Sequence, residues 1–125
     1  MTGLTLDAGA LIAIDRNTED ARALIRRALA HGWALTVPAG ALAQAWRGAR
    51  QARLAGFLKA KDGPTIVPLD GRIARAAGEV CGRTGTADVI DASVVVCALL
   101  RKDHVVTSDP SDIARLDPAI PLIAI

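Results

Sequence analysis

Residues 86–100 read TADVIDASVVVCALL. From Val89 to Leu100 the stretch is apolar, broken only by Asp91 and Ser93, with Asp88 just ahead of it. It is longer than a typical strand, which makes it a helix, and the fold class follows from that reading. The carboxylates at its head pose a second question. A buried, unpaired carboxylate is among the costliest groups a fold can contain, so Asp88 and Asp91 need a partner.

Working outward, short aliphatic runs alternate with helical segments. HVVTS (104–108) follows the helix as a strand, SDPSD opens a short helical turn, and PLIAI (121–125) is a last strand. Upstream, TIVPL (65–69) is a strand, and Asp70 caps the helix GRIARAAGEVCGR. LTL (4–6) is a strand ending at Asp7, followed by the turn or short helix AGALIAI. Thr18 caps a helix closed by the HG at 31–32, and WALTV (33–37) is a further strand. Pro38 suits the first position of the helix AGALAQAWRGARQARLAGFLKA, with a break near Gly48. Short, continuous, aliphatic strands separated by helices indicate an α/β fold, a parallel sheet of about five strands covered on both faces. In such sheets the ligand crevice lies beyond the carboxyl ends of the strands, where the strand order reverses.

At 125 residues the chain fits one domain, 1–125, with no internal repeat or linker. With no Tyr, one Phe and two Trp, stacking of bases on aromatic platforms is not its way of holding nucleic acid. No run reaches the length of a membrane span and the first ten residues carry no basic leader pattern, so a soluble, cytoplasmic protein with no membrane partner is expected. Cys81 and Cys97 have no metal-ligand spacing and read as small buried thiols. The net charge of +2 hides an asymmetry: residues 21–61 contain eight Arg or Lys and no acid, a candidate surface for a polyanion or simply solvated helix faces.

The acids collect where the crevice rule points. Asp7 follows the first strand, Asp109 follows the fourth with Asp112 three residues on, and Asp88 and Asp91 head the preceding helix. Each has a structural alternative. Asp7 can cap the short helix after the first strand, Asp88 can complement a helix N-terminus with Thr86 as its cap, and Asp109 and Asp112 can form turns. Asp91, inside an apolar helix, is the hardest to explain that way. Carboxylates gathered at one sheet edge repel one another unless a cation neutralises them. Hard oxygen donors without a His or Cys set point to Mg²⁺ or Mn²⁺. His31 and His104 lack ligand spacing and read as structural. A divalent ion with open positions for water suits phosphodiester hydrolysis.

Four segments in this order resemble the PIN-domain ribonucleases, specifically the VapC-type toxins of toxin–antitoxin modules. They are LDAGALIA (6–13), VPAGALAQAWRG (37–48), ADVIDASVVVCA (87–98) and VVTSDPSDIARL (105–116). The resemblance implies a Rossmann-like sheet and a Mg²⁺- or Mn²⁺-dependent endoribonuclease. It also implies a homodimer, inhibited by a small antitoxin. Asp7, Asp91 and Asp109 match the family's first, third and fourth acids. Asp88 and Asp112 match additional ones, and Thr107 or Ser108 matches the hydroxyl residue before the fourth. The departure is Gln44, where family members commonly carry Glu. An amide can donate oxygen to an ion but brings no negative charge, which leaves open a weakened or inactive member that only binds RNA or antitoxin. A phosphoacceptor receiver domain would need a Lys after the last strand, and none follows Lys102. For RNA contacts the candidates are Arg47 and Arg50, which recur with Arg53 every three residues, and the second basic face of Arg22, Arg26 and Arg27. If the helix from residue 39 is continuous, Gln44 and Arg47 share a face.

Overall fold

A computed structural model describes residues 3–125. Strands β1 (Leu4–Leu6), β2 (Leu35–Pro38), β3 (Thr65–Val67), β4 (His104–Thr107) and β5 (Leu122–Ala124) form one sheet in the order β3-β2-β1-β4-β5, with every pairing parallel. Seven helices among the described residues cover it: α1 (Ala8–Asp15), α2 (Glu19–His31), α3 (Ala39–Ala45), α4 (Ala52–Lys59), α5 (Gly71–Thr84), α6 (Val89–Arg101) and α7 (Pro110–Leu116). The α/β class and the five short parallel strands are those the sequence predicts.

The chain builds outward from β1 through β2 to β3, then returns across the sheet to β4 on the other side of β1. The reversal therefore lies between β1 and β4. Leu4 pairs with His104 and Leu6 with Val106, so both strands finish at the same edge.

The core is aliphatic. Leu4, Leu6, Val37, Val105 and Val106 of the inner strands are buried, with Leu11, Leu54, Val94, Val95 and Ile113 packed from the helices. Val94 to Ala98 are all buried, which accounts for the apolar run of α6. The threonines of the inner strands are buried too, and each is hydrogen-bonded. Thr5 donates to Asp103 (2.8 Å), and Thr36 accepts from Arg101 Nε (3.0 Å). Cys81 and Cys97 are unpaired buried thiols, as expected.

Three local expectations are corrected. Trp33 does not begin β2: its N–H closes the end of α2 on the Ala28 carbonyl (2.9 Å), and its ring stacks on His31. Pro38 ends β2 in an extended conformation and stands as the N-cap of α3 rather than its first residue. The helix from residue 39 is not continuous. It stops at Ala45, Trp46 is extended, and Gly48 takes φ +138°, a conformation open to glycine. The Gln51 amide bridges the break, donating to the Ala45 carbonyl (2.9 Å) and accepting the Arg47 N–H.

Candidate active site

Asp7 leaves β1 at the reversal point and caps α1: its Oδ1 accepts the Ala10 N–H at 2.8 Å. It is only 6% exposed. The Thr107 hydroxyl also donates to it, yet burial, with the Asp109 charge adding to it, holds its carboxyl above the usual range. Thr107, fully buried at the end of β4, accepts the Asp109 N–H at 2.9 Å and so fixes the turn out of the strand. Ser108 lies against Gly9: a Cβ on that glycine would stand 2.0 Å from Ser108 Oγ. The first turn of α1 and the end of β4 meet this closely because residue 9 has no side chain.

Asp88 caps α6, accepting the Asp91 N–H at 3.0 Å, while its own N–H donates to Thr86 Oγ1 at 3.2 Å. Asp91 thus falls in the first turn of α6, nearer the helix start than its apolar surroundings in the sequence suggest. Half-buried, it is pushed up to about 7, first by burial, then by the Asp88 charge and a hydrogen bond between the two carboxyls, then by Asp7 and Asp112. Asp109 is exposed. Its Oδ1 accepts from Ser111 Oγ at 2.9 Å, and that bond, with a hydrogen bond from Asp112, holds its carboxyl low. Asp112 is pushed up by its hydrogen bond to Asp109 and by that residue's charge.

All five acids therefore gather at the carboxyl edge of the sheet and interact with one another. Structural roles hold as well: Asp7 and Asp88 are helix caps, Asp88 in place of Thr86, each spending Oδ1 on a backbone N–H. Among the described residues no three acidic, histidine or cysteine side chains close round one point as they stand. Asp7, Asp88 and Asp109 are each turned to a partner of their own. In kind the donors fit a hard divalent cation, being carboxylate oxygens whose mutual repulsion a cation relieves. Asp88, Asp91 and Asp112 share a polar cleft of about 70 Å³ with Arg115.

The other candidates divide. Gln44 is exposed in the last turn of α3 and does not line this cleft. Gly40, one turn earlier, packs against Ile90, since a Cβ there would stand 2.8 Å from Ile90 Cδ1. That contact lays α3 beside the start of α6. Arg47 lies beyond the end of α3, and its guanidinium folds back on the carbonyls of Trp46 (2.7 Å) and Ala43 (3.3 Å). It shares no helix face with Gln44. Arg50 is exposed in the same break. Arg22, Arg26 and Arg53 line a different cavity, of about 550 Å³, with Ile14, Ile25, Leu29 and Phe57. His31 has its Nδ1 2.8 Å from the Arg27 carbonyl, a structural contact.

Two residues were not singled out by the sequence. Asp103 is buried at the opposite edge of the sheet, where it accepts from Gly3 N (3.0 Å) and Thr5 Oγ1. Its signal was a carboxylate directly before a strand. Arg115 pairs with Asp112 at 3.5 Å, and its signal was the i, i+3 spacing.

Structures of similar fold are known. VapBC2 from Rickettsia felis, bound to a DNA fragment from their promoter, superposes with a TM-score of 0.73 at 15% identity, covering 98% of this chain and 98% of that one. DNA-bound VapBC from Salmonella typhimurium gives 0.71 at 18% identity over 99% and 98%. FitAcB from Neisseria gonorrhoeae gives 0.67 at 16% identity over 96% of each chain. At these identities the likeness is one of fold. No curated protein matches the sequence. Among the described residues no helix is long and apolar enough to cross a membrane. A sequence model of the PIN domain matches residues 4–117, nearly the whole length, and the chain belongs to the PIN domain family.

Proposed function

We propose that the protein, as one nuclease domain over residues 1–125, is a metal-dependent endoribonuclease of the VapC type, the toxin of a toxin–antitoxin pair. The observation that carries this reading is Asp91. Asp88, Asp91 and Asp112 face one cleft, and burial with the repulsion of neighbouring acids pushes the half-buried Asp91 carboxyl up to about 7, a repulsion that a cation would relieve. Asp7, Asp91, Asp109 and Asp88 would hold Mg²⁺ or Mn²⁺, with Asp112 beside them in the cleft, Gln44 as a weak ligand from the neighbouring helix α3, and Thr107 and Ser108 setting the turn that carries Asp109. The bound ion supplies a lowered pKa for water and a counter-charge for phosphate oxygens. Asp7 is held by Thr107 and the Ala10 N–H, so its orientation is fixed before substrate arrives. A carboxylate of this cluster that is not fully used in coordination would orient the attacking water or accept its proton.

The basic residues separate into two roles. Arg50 remains a candidate for RNA contact, and Arg47 contributes charge although its guanidinium is engaged. Arg22 and Arg26, with Arg53, border an apolar cavity. Apolar walls edged by guanidinium groups suit an amphipathic segment with acidic side chains better than a bare phosphate backbone. The antitoxin is the partner proposed there. A homodimer in the cytoplasm completes the reading, and the mass in solution checks it.

The test is cleavage of total RNA by antitoxin-free protein with Mg²⁺ or Mn²⁺ against a chelator, beside Asp91→Asn. Cutting that needs metal and is lost in the variant supports the nuclease. A second reading, a weakened or binding-only member, is favoured by Gln44, an amide that brings no negative charge where the family commonly carries Glu. Metal binding without any cutting selects it.

A further inference from the structure

Helix α7 brings one positive charge into the acidic cleft. Arg115 Nη2 lies 3.5 Å from Asp112 Oδ1. The cleft has no other basic wall residue. Ile113 and Leu116, both buried, anchor the half of α7 from which Arg115 projects, so its stem starts from a fixed point. Its side chain is 67% exposed, leaving the guanidinium open to solvent on the side away from Asp112.

Such a pair is not there for stability. Exposed i, i+3 pairs contribute about 0.5 kcal/mol or less. The electrostatic need lies elsewhere. A polyanion approaching this edge meets Asp7, Asp88, Asp91, Asp109 and Asp112. One divalent ion offsets only two of those charges. Of the arginines singled out above, Arg47 is spent on backbone carbonyls at the end of α3, Arg22, Arg26 and Arg53 line a separate cavity, and Arg50 does not line this cleft. A guanidinium also presents paired donors that match two phosphate oxygens at once, which an ammonium does not.

We propose that Arg115 is the phosphate-contacting residue of the cleft. Without substrate, Asp112 holds its guanidinium in place; when RNA binds, a phosphodiester takes over as its partner. This rests on the nuclease reading, and the experiment separates the two. Arg115→Ala and Arg115→Lys are made in the full chain, and a melting curve confirms that each folds. Mn²⁺ binding is measured by calorimetry without RNA. Binding of a labelled single-stranded RNA oligonucleotide is measured in Ca²⁺ over a series of salt concentrations, and cleavage of total RNA in Mg²⁺. For Arg115→Ala, Mn²⁺ affinity should be unchanged or tighter. Oligonucleotide affinity should fall about tenfold, with a salt slope smaller by about 1. Cleavage should fall about 100-fold. Arg115→Lys should fall between the two proteins. If the wild type cuts and Arg115→Ala cuts and binds RNA equally well, this inference alone is overturned. Loss of Mn²⁺ affinity together with activity would also overturn it, assigning Arg115 to positioning Asp112. A wild type that cuts no RNA and binds neither RNA nor Mn²⁺ overturns the nuclease reading, and this inference with it.

Discussion

Asp88 Oδ1 accepts the backbone N–H of Asp91 at 3.0 Å, so the residue that caps α6 also fixes the next acid along. Burial and the Asp88 carboxylate beside it push the Asp91 carboxyl up to about 7. Capping and acid clustering are thus one arrangement at this helix start: an N-terminus favours negative charge, and the second acid exploits a field the first already occupies.

Stability and metal affinity should depend on pH in opposite directions. The Asp91 carboxyl titrates near 7 in the fold against an ordinary 3.8, and Asp7 is shifted the same way. Between those values the folded chain keeps a proton that the unfolded chain has released, so metal-free stability falls as pH rises through that window. The melting temperature without metal should be higher at pH 5.5 than at pH 8. Mn²⁺ must displace the same proton, so its apparent affinity should rise up to about tenfold per pH unit below 7 and level off above. Melting curves and Mn²⁺ titrations at both pH values check this; a metal-free melting temperature that rises with pH would contradict it.

Gln44→Glu should tighten Mn²⁺ binding, but by less than about fivefold. The side chain is exposed, and one charge acting through solvent is worth under about 1 kcal/mol. An unchanged or weaker affinity by calorimetry would show that residue 44 does not face the ion.

Gly9 and Ser108 should be coupled. Gly9→Ala places a methyl group 2.0 Å from Ser108 Oγ, forcing that hydroxyl aside at about 1–2 kcal/mol. Adding Ser108→Ala removes the obstructing oxygen and should recover about 1 kcal/mol, read from a double-mutant cycle in urea. Strict additivity would mean that the two elements do not meet as described.

Asp103 tests the far edge of the sheet. Asp103→Ala leaves the Gly3 N–H and the buried Thr5 hydroxyl without their acceptor, a loss of about 3 kcal/mol and about 10 °C in melting temperature. Mn²⁺ affinity should change by less than about twofold, because the residue stands at the opposite end of β1 and β4 from Asp7 and Asp109. A large change in affinity with little change in melting would refute a structural role.

The strands, the capping by Thr18 and Asp70, the buried cysteines and the collection of acids at one edge were all determined by the sequence, whereas the cap of α6 is Asp88 and not Thr86. Each depends on local pattern: aliphatic runs too short for helices, a hydroxyl or carboxylate just ahead of an apolar period, an acid directly after a strand. The tertiary structure alone decided the break after Ala45, because a side chain six residues on, Gln51, satisfies the carbonyl that the helix abandons. It also separated the arginines, sending Arg22, Arg26 and Arg53 to an apolar cavity while Arg115 entered the acidic cleft. Charge sequence gives sign and spacing along the chain. Which charges face one another is set by how helices pack, since side chains far apart in sequence meet only when the core beneath them is formed.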